Sequence, residues 1–476
     1  MRLLISGATV IDGAGGGPVP DRSIWIEDGR IRAVGSRYDL AGLSDAQVVD
    51  ASGLFAIPGL MNANAHLLCD VRLETLARYA GRYEELIAEA AQVALKNGLT
   101  TVFDTWGPRR FLQTVRARIH DGETIGSRFF CAGNIVGFDG PFSPDFFGKT
   151  AEVASAALAK RINAIWVENT GRHLMWMPPQ QVAQEIRAYI AKGIDFVKYG
   201  SNEHAFPGAF LAFSAETQAA IVGEAHRAGI TAQAHTTSVE GLRIAVEAGC
   251  DLIQHANITG PVEIPGTTLE LMARRRTGAV VFPFTRKRWD WIISHVSDAE
   301  RTAWLASDAN ARSMIRSEVL LLLGNDGSVF PPERATAPSQ NWATAGEDNL
   351  IDLATGHFAW FQAMEEKECA PMRMLQAATR NIAVAYGKEN DLGTLERGKQ
   401  ADVLLLEKNP LDAAANYRTI KMVIKAGSIV DREALPEHPL LTRPMEHAEE
   451  EASYIPFLPA RETHVQACPV CMSRSQ

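Results

Sequence analysis

Pro58-Gly59-Leu60-Met61-Asn62-Ala63-Asn64-Ala65-His66-Leu67 is a short apolar run that ends in an Asn-x-His pair. Side chains two positions apart in a β-strand share one face, so Asn64 and His66 are predicted to point inward together. An imidazole nitrogen and an amide oxygen on one face can hold a metal ion. A lone histidine after an apolar run is more often a hydrogen-bonded core residue. The choice between a metal ligand and a core histidine therefore depends on the rest of the chain.

The composition restricts the class of protein. The chain has 476 residues, of which 46% are hydrophobic and 22% charged, which suits a large barrel with an accessory domain. The formal net charge of −9 argues against a nucleic-acid partner and gives no basic patch for a membrane surface. No apolar run is long enough to span a bilayer, and there is no cleavable leader, so a cytoplasmic protein is expected. The six scattered cysteines fit reduced thiols.

The pattern of short apolar runs predicts an α/β fold. Between residues 58 and 388, strand-like runs alternate with helical patterns, which is typical of a parallel sheet with crossover helices. Eight such runs predict a closed (β/α)₈ TIM barrel, with the chemistry at the carboxyl ends of its strands. The predicted strands are Phe55–Met61, Thr100–Thr105, Arg128–Ala132, Phe196–Tyr199, Thr231–His235, Leu252–His255, Ala279–Phe282 and Val319–Leu323.

The two ends of the chain share a different texture. Residues 1–57 and 389–435 carry short β-like runs separated by Gly and Asp turns, and they are predicted to form one small β-sandwich domain. Residues 436–476 are rich in proline and charge and are predicted to form an arm over the surface or over a neighbouring subunit of a homo-oligomer. His464 with Cys468 and Cys471 resembles half a zinc knuckle, but a structural zinc site needs four ligands.

Polar residues end several of the predicted barrel strands. Lys198 lies within a strand that should be buried, where an unpaired ammonium group is costly, so it is predicted to be paired or chemically modified. His235 and His255 end consecutive strands, and Asp326 follows the last one. Each has an ordinary alternative, as a core histidine, a helix cap or a salt-bridged lysine. Together with Asn64 and His66 they predict one converging metal site.

These residues and two later motifs resemble the amidohydrolase superfamily, and within it the imidazolonepropionase-like branch. The motifs are Leu375-Gln376-Ala377-Ala378-Thr379-Arg380-Asn381 and Gly393-Thr394-Leu395-Glu396-Arg397-Gly398-Lys399-Gln400-Ala401-Asp402. The resemblance covers most of the chain. It implies a barrel with a small β-sandwich and a divalent metal, zinc or cobalt. The implied ligands are Asn64, His66, a carboxylated Lys198, His235, His255 and Asp326.

One position departs from the family pattern. The first strand of the family ends in His-x-His, whereas this chain has Asn64 in the first position. An amide oxygen is a weaker ligand for zinc or cobalt than imidazole, so one ion per subunit is expected, with Asn64 as a ligand or as a neighbour of the ligands. The Asn-x-His variant resembles the group of herbicide-degrading phenylurea and molinate hydrolases.

The resemblance implies a metal-dependent hydrolase that cleaves the carbonyl C–N bond of a phenylurea-type substrate and releases an aromatic amine by attack of a metal-bound hydroxide. Asp326 is the expected general base and then acid, and His204 is a candidate to bind the carbonyl, with a solvent-facing loop histidine as its alternative. Thiocarbamates, cyclic amides and dipeptides are alternative substrates. A catalytically inactive barrel that acts as a binding scaffold is the alternative from another class.

The expected substrate is small, neutral and either aromatic or carbamoyl. Aromatic residues near the ends of the predicted strands would line an apolar pocket for it, although any single aromatic is more often plain core. The long connection between Ala132 and Phe196 is also rich in aromatics, as binding loops often are. The predicted pocket residues are Trp106, Phe138, Phe142, Tyr199 and Phe284.

Overall fold

The computed structural model describes residues 2–36, 46–68, 73–146, 154–204, 209–330 and 348–443. Its first layer is a sheet made from both ends of the chain, in the order β16-β15-β14-β5-β1-β2-β3, with β4 paired to β1. The sheet has its own core, in which Leu3, Ile5 and Ile24 are fully buried. Its strands are β1 Arg2–Val10, β2 Val19–Glu27, β3 Arg30–Ser36, β4 Gln47–Asp50, β5 Phe55–Pro58, β14 Val403–Leu406, β15 Ile420–Lys425 and β16 Ser428–Ile429.

The second layer is a parallel barrel, as the sequence predicts. Two sheets, β6-β7-β8 and β9 to β13, are joined by parallel bridges between Val136 and Tyr199 and between Ala65 and Gly327, which close the ring. All strand pairs within these sheets are parallel. The strands are β6 Leu60–Ala65, β7 Leu99–Asp104, β8 Arg128–Cys131, β9 Phe196–Gly200, β10 Thr231–His235, β11 Leu252–Gln254, β12 Gly278–Val281 and β13 Leu320–Leu323.

The predicted first barrel strand, Phe55–Met61, is wrong in its bounds. The structure divides this run into two strands at Gly59, so that β5 belongs to the mixed sheet and β6 begins the barrel. The Gly59 N–H donates to the carbonyl of Asp402. A Cβ at Gly59 would lie 2.2 Å from the Thr100 hydroxyl, so only glycine fits at this junction.

Helices cover the outside of the barrel, and amphipathic patterning decides which face of each packs inward. Ser155, Ser214, Ser238 and Ser297 cap helices α4, α6, α7 and α10 by accepting from N–H groups of the first turn. The described α-helices are α1 Leu73–Arg78, α2 Tyr83–Lys96, α3 Arg109–His120, α4 Ala156–Val167, α5 Pro179–Ile190, α6 Ala215–Arg227, α7 Val239–Glu247, α8 Gly266–Arg275, α9 Arg286–His295, α10 Asp298–Arg316, α11 Gly356–Glu366, α12 Pro371–Ala377 and α13 Arg380–Ala385. None of these helices is long and apolar enough to cross a membrane.

The floor of the barrel is closed by Tyr386, which follows α13. Its ring stacks on Phe103 with the centroids 3.6 Å apart and meets Phe196 edge-on at 5.0 Å. The Tyr386 hydroxyl donates to the carbonyl of Ala63 over 2.7 Å, and Gln233 donates to the same hydroxyl. The floor therefore fixes β6 from below, just before the Asn64 and His66 pair.

Part of the predicted C-terminal arm is described and lies along helix α2. Glu89 is buried and its carboxylate accepts the backbone N–H groups of Leu440, Leu441 and Thr442, at 2.8–2.9 Å for the shortest contacts. One turn further, the side chains of Gln92 and Glu437 are joined at 2.8 Å. Residues 444–476, including His464, Cys468 and Cys471, lie outside the described residues.

Replacing Glu89 with alanine is expected to release this segment. The substitution leaves three backbone donors without their acceptor, and charge-assisted hydrogen bonds of this kind are worth roughly 1.5–3 kcal/mol each. Because the released donors can bond to water instead, only part of this is lost, and a decrease of about 2–4 kcal/mol in the free energy of unfolding is expected. Limited proteolysis after residue 431 and thermal unfolding would measure it. Glu84→Ala is the matched control, since Glu84 lies on the same helix and forms an exposed ion pair with Arg118 of α3. Equal stability of the two variants would contradict the prediction.

Candidate active site

The predicted site residues lie at one end of the barrel because parallel strands bring their carboxyl ends together. Asn64 is the penultimate residue of β6, and His66 follows that strand directly. Lys198 lies within β9, His235 ends β10 and His255 follows β11. The larger set that converges here is Asn64, His66, Lys198, His204, His235, His255 and Asp326.

His66 and Asp326 form the tightest contact of the set. The His66 Nε2 atom lies 2.9 Å from Asp326 Oδ1, although the two residues come from opposite ends of the barrel sequence. The two loops are tied together below them, since the Asn62 amide donates to the side-chain oxygen of Asn325 over 2.6 Å. The backbone N–H of Asp326 also donates to the Asn64 carbonyl. Asp326 keeps 35% of its side chain exposed, so its second oxygen remains open to a ligand.

Lys198 is 2% exposed and donates to the Thr105 hydroxyl over 3.0 Å. An ammonium group only donates, so the Thr105 hydroxyl must accept from it and give its own proton to Asn64 Oδ1, at 2.5 Å. This order turns the Asn64 Nδ2 group away from Thr105, and it is buried without a hydrogen-bond partner among the described residues. Thr105 was not predicted from the sequence. Its hydroxyl links Lys198 to Asn64, the position at which this chain departs from the family pattern.

The three remaining histidines form a connected set of rings. His235 and His255 meet edge-on with centroids 4.5 Å apart, and His204 stacks on His235 at 5.0 Å. The Nδ1 atom of His255 lies 3.1 Å from the carbonyl of Thr236, which leaves Nε2 for a ligand. His204 is therefore a partly buried member of the site and not a solvent-facing loop histidine.

Burial and neighbouring charges shift the ionisation of the site. Burial lowers the pKa of Lys198 to about 8, against the attraction of Asp326 and Asp104. Burial also lowers the pKa of His255 to about 4 and that of His204 to about 3. For Asp326, burial raises the pKa, but the hydrogen bond and charge of His66 and the charge of Lys198 outweigh burial and hold it well below its usual range. These shifts therefore favour neutral imidazoles at His204 and His255 beside the carboxylate of Asp326.

The backbone is strained at two of these positions. His255 has φ of 36° and Asp326 has φ of 52°, in the left-handed region that non-glycine residues seldom adopt. Such conformations cost roughly 1–3 kcal/mol and persist where the surroundings impose them. Here the strain aims the two side chains toward the centre of the barrel end.

An aromatic wall borders the histidines. The Trp106 ring lies edge-on to His66 at 6.0 Å, and Phe138 lies edge-on to His235 at 5.7 Å. Phe146 was not predicted, and it stacks on Trp106 with centroids 3.9 Å apart. The Trp106 indole N–H donates to Asn134, which holds the ring in place.

The other predicted pocket residues lie elsewhere. The Tyr199 hydroxyl donates to Gln218 on α6, because Tyr199 alternates with Lys198 along β9 and so points out of the barrel. Phe142 is buried, and its N–H donates to Asn163 of α4. Phe284 packs edge-on against Trp304 of α10. The structure does not bring Tyr199 to the site, and it places Phe142 and Phe284 in the surrounding packing.

Asp104 is a third residue that was not predicted from the sequence. It ends β7, is fully buried, and accepts the N–H of Leu67 over 2.8 Å, which fixes the loop that carries His66. Burial raises its pKa to about 6, opposed by the charges of His66 and Lys198. A carboxylate at the end of an apolar run is the same signal that identified Asp326, so Asp104 could have been predicted from the sequence.

The donors present fit a divalent metal by their chemistry. Within the described ranges, no three His, Cys, Asp or Glu side chains form a finished cluster for an ion. However, His66 Nδ1, His235 Nε2 and Asp104 Oδ1 are buried and lack hydrogen-bond partners among the described residues. Buried polar atoms without partners are rare, and each calls for a ligand. Imidazole nitrogens with carboxylate oxygens suit zinc or cobalt.

A parallel barrel whose strand ends carry histidines, a buried lysine and an aspartate defines a class of hydrolase. The model of the family described as "Amidohydrolase family" matches residues 55–430. This chain therefore belongs to the amidohydrolase family, which generally uses a divalent metal. It is a hydrolase that acts on non-peptide C–N bonds, and the resemblance predicted from its sequence is confirmed.

Solved structures and curated relatives show which hydrolases of this family the chain is similar to. A structure of molinate hydrolase is 36% identical, with 94% of this chain and 98% of that chain covered and a TM-score of 0.88. A structure of phenylurea hydrolase B is 34% identical, with 94% and 100% covered and a TM-score of 0.88. The imidazolonepropionase of Thermoanaerobacter pseudethanolicus is 26% identical over 416 residues, with 83% of this chain and 86% of that protein covered.

Proposed function

We propose that this protein hydrolyses the carbonyl C–N bond of a phenylurea-type substrate and releases an aromatic amine. The observation that carries the proposal is the contact between a polar pair of side chains and an aromatic one. His66, which pairs with Asp326, lies edge-on to the ring of Trp106, and Trp106 is the part of the aromatic wall nearest to this pair. A neutral aryl urea needs such a combination, because its carbonyl must meet the polar residues while its ring stays in apolar surroundings.

His66, His235, His255, Asp326 and a carboxylated Lys198 would hold one divalent ion, zinc or cobalt. When bound, such an ion polarises a carbonyl and lowers the pKa of water to about 7. The Lys198 ammonium group first loses one proton, and its neutral amine loses a second when it adds CO₂, so a costly buried cation becomes an anion. With Asp326, that anion balances the charge of a divalent ion.

The chain's own residues then move the proton. Asp326 accepts a proton from the attacking water through the oxygen that His66 leaves open, and delivers it to the departing nitrogen. One water is consumed, and the products are the aromatic amine and a carbamic acid, which loses CO₂. His204, which stacks on His235, would donate to the substrate carbonyl oxygen. The wall of Trp106 and Phe138 keeps bulk water from the reacting carbon.

Thiocarbamate hydrolysis is the second candidate, because a molinate hydrolase structure matches the chain over a similar length. In that reaction a thiol leaves in place of the amine. The homo-oligomer and the cytoplasmic location stay predictions.

Metal analysis of the purified protein, alongside an assay of aniline release from N,N-dimethyl-N′-phenylurea, tests the proposal. We expect about one ion per chain and release of aniline. Bound metal without release of aniline would turn the search to thiocarbamates, and the absence of bound metal would favour the binding-scaffold alternative.

Replacing Asn64 with histidine is expected to raise the metal content from about one ion to about two per chain, because imidazole is the stronger ligand for zinc. Asn64 already points into the site, with its Oδ1 held by Thr105. Elemental analysis after dialysis against zinc would measure the change. Asn64→Ala is the control and should keep the content of the parent protein. An unchanged content in Asn64→His would show that this position does not serve the ion.

A further inference from the structure

Phe146 fills the space between two walls of the site. Its ring stacks on Trp106 with centroids 3.9 Å apart and 22° between the planes. On its other side, the ring lies 4.5 Å from the ring of His204, at 57°. Carbon atoms in van der Waals contact lie about 3.5–4 Å apart, so no second ring fits between Trp106 and His204 while Phe146 is there.

Two neighbours of Phe146, the rings of Trp106 and Phe138, are buried, whereas Phe146 is the outer member of the group. Trp106 is 5% exposed and hydrogen-bonded through its indole, and Phe138 is 1% exposed. Phe146 is partly exposed, and its backbone N–H donates to the carbonyl of Ser143 over 3.2 Å. The ring can therefore leave toward solvent without unpacking the wall behind it.

The filled space leads to the reacting groups. His204 stacks on His235, and Trp106 lies edge-on to His66. A flat ring between Trp106 and His204 would therefore lie near two of the predicted metal ligands, His235 and His66. A substrate whose carbonyl reaches Asp326 would carry its aryl group into the same space.

We propose that the Phe146 ring occupies the place of the substrate's aryl group and that a planar aryl substrate binds by displacing it from between Trp106 and His204. The substrate class rests on the proposed function. Because the substrate competes with a side chain of the protein, its apparent affinity equals the intrinsic affinity multiplied by the fraction of molecules in which Phe146 has moved out.

Direct binding separates this proposal from the proposed function. Calorimetric titration with aniline, which has no bond for the enzyme to cleave, is expected to give a dissociation constant about fivefold lower for Phe146→Ala than for the parent protein. Cyclohexanol, which has the same number of heavy atoms but a puckered ring, should bind with less than about twofold change, because it gains no stacking. Phe146→Leu keeps the apolar volume and should fall between the two.

Phe55→Ala is the matched control, because Phe55 is a partly buried phenylalanine of the mixed sheet, away from the barrel end. It should bind aniline as the parent does. Weaker or unchanged aniline binding in Phe146→Ala would overturn displacement and make Phe146 a wall of the pocket. Tighter aniline binding in a protein that does not cleave phenylureas would support displacement while refuting the proposed substrate. Cleavage with weaker aniline binding would do the reverse.

Discussion

Asp326→Asn is expected to lower kcat/KM by about 10³-fold while the fold and the metal content stay unchanged. The asparagine keeps an oxygen within reach of His66 Nε2, where the aspartate lies 2.9 Å away. It also keeps the size of the side chain at a position with strained backbone. What it loses is the ability to take up a proton and to pass it to the departing nitrogen. Steady-state kinetics and elemental analysis would measure the two effects.

The chain offers a matched control for this substitution. Asp251 accepts from His226 over 2.8 Å, nearly the distance of the Asp326 and His66 pair, but it precedes β11 and so lies at the opposite end of the barrel. Asp251→Asn should leave kcat/KM within about twofold of the parent value. Activity near that of the parent in Asp326→Asn would remove Asp326 from the proton transfer and leave it as a ligand only.

The second large effect is expected from Lys198→Met, which should lose both the bound metal and at least about 10³-fold in kcat/KM. Methionine fills nearly the same space as lysine but provides neither an amine to carboxylate nor an anion for the ion. The metal-free variant should unfold with a free energy equal to or above that of the parent protein, because burial lowers the pKa of Lys198 to about 8 and the charged amine is costly there. Elemental analysis and chemical denaturation would test both statements.

Lys425→Met is the control for the cost of a buried lysine. Burial also lowers the pKa of Lys425 to about 8, but Lys425 lies on β15 of the mixed sheet. Both substitutions remove a base that binds its proton less tightly when folded. The rise in unfolding free energy of the metal-free protein between pH 8 and about 10 should therefore shrink in both. Only Lys198→Met should lose the metal. Loss of metal in both variants, or in neither, would contradict the role given to Lys198.

The barrel and most of the converging set were predictable from local pattern. Apolar runs ending in polar residues identified seven of the barrel strands nearly to the residue, and His235 and His255 were placed by the strand ends alone. The first strand failed in its bounds because nothing in the apolar character of residues 55–61 shows that the pairing partner changes at Gly59. That change depends on β14, which comes far later in the chain.

The walls of the site were less predictable. Tyr199 and Lys198 are neighbours in sequence, and the alternation along a strand sends only one of them inward, so choosing both was inconsistent with the strand itself. Phe146 was one of several aromatics in a long connection. No periodicity in such a connection tells which ring will meet Trp106. Thr105 became meaningful only when β7 was seen beside β6, whereas the signal for Asp104 was present in the sequence and was overlooked.

The pairing of β5 with β14 also determines when this protein can fold. Val403 of β14 lies opposite Pro58 of β5, so β5 gains β14 as a partner only after the whole barrel has been synthesised. Tyr386 adds a second requirement of the same kind, since it holds the carbonyl of Ala63 in β6. During translation, β1 to β5 can pair with one another, but the edge of β5 that binds β14 stays exposed until the barrel has been synthesised, so its pairing with β14 is a late step of assembly.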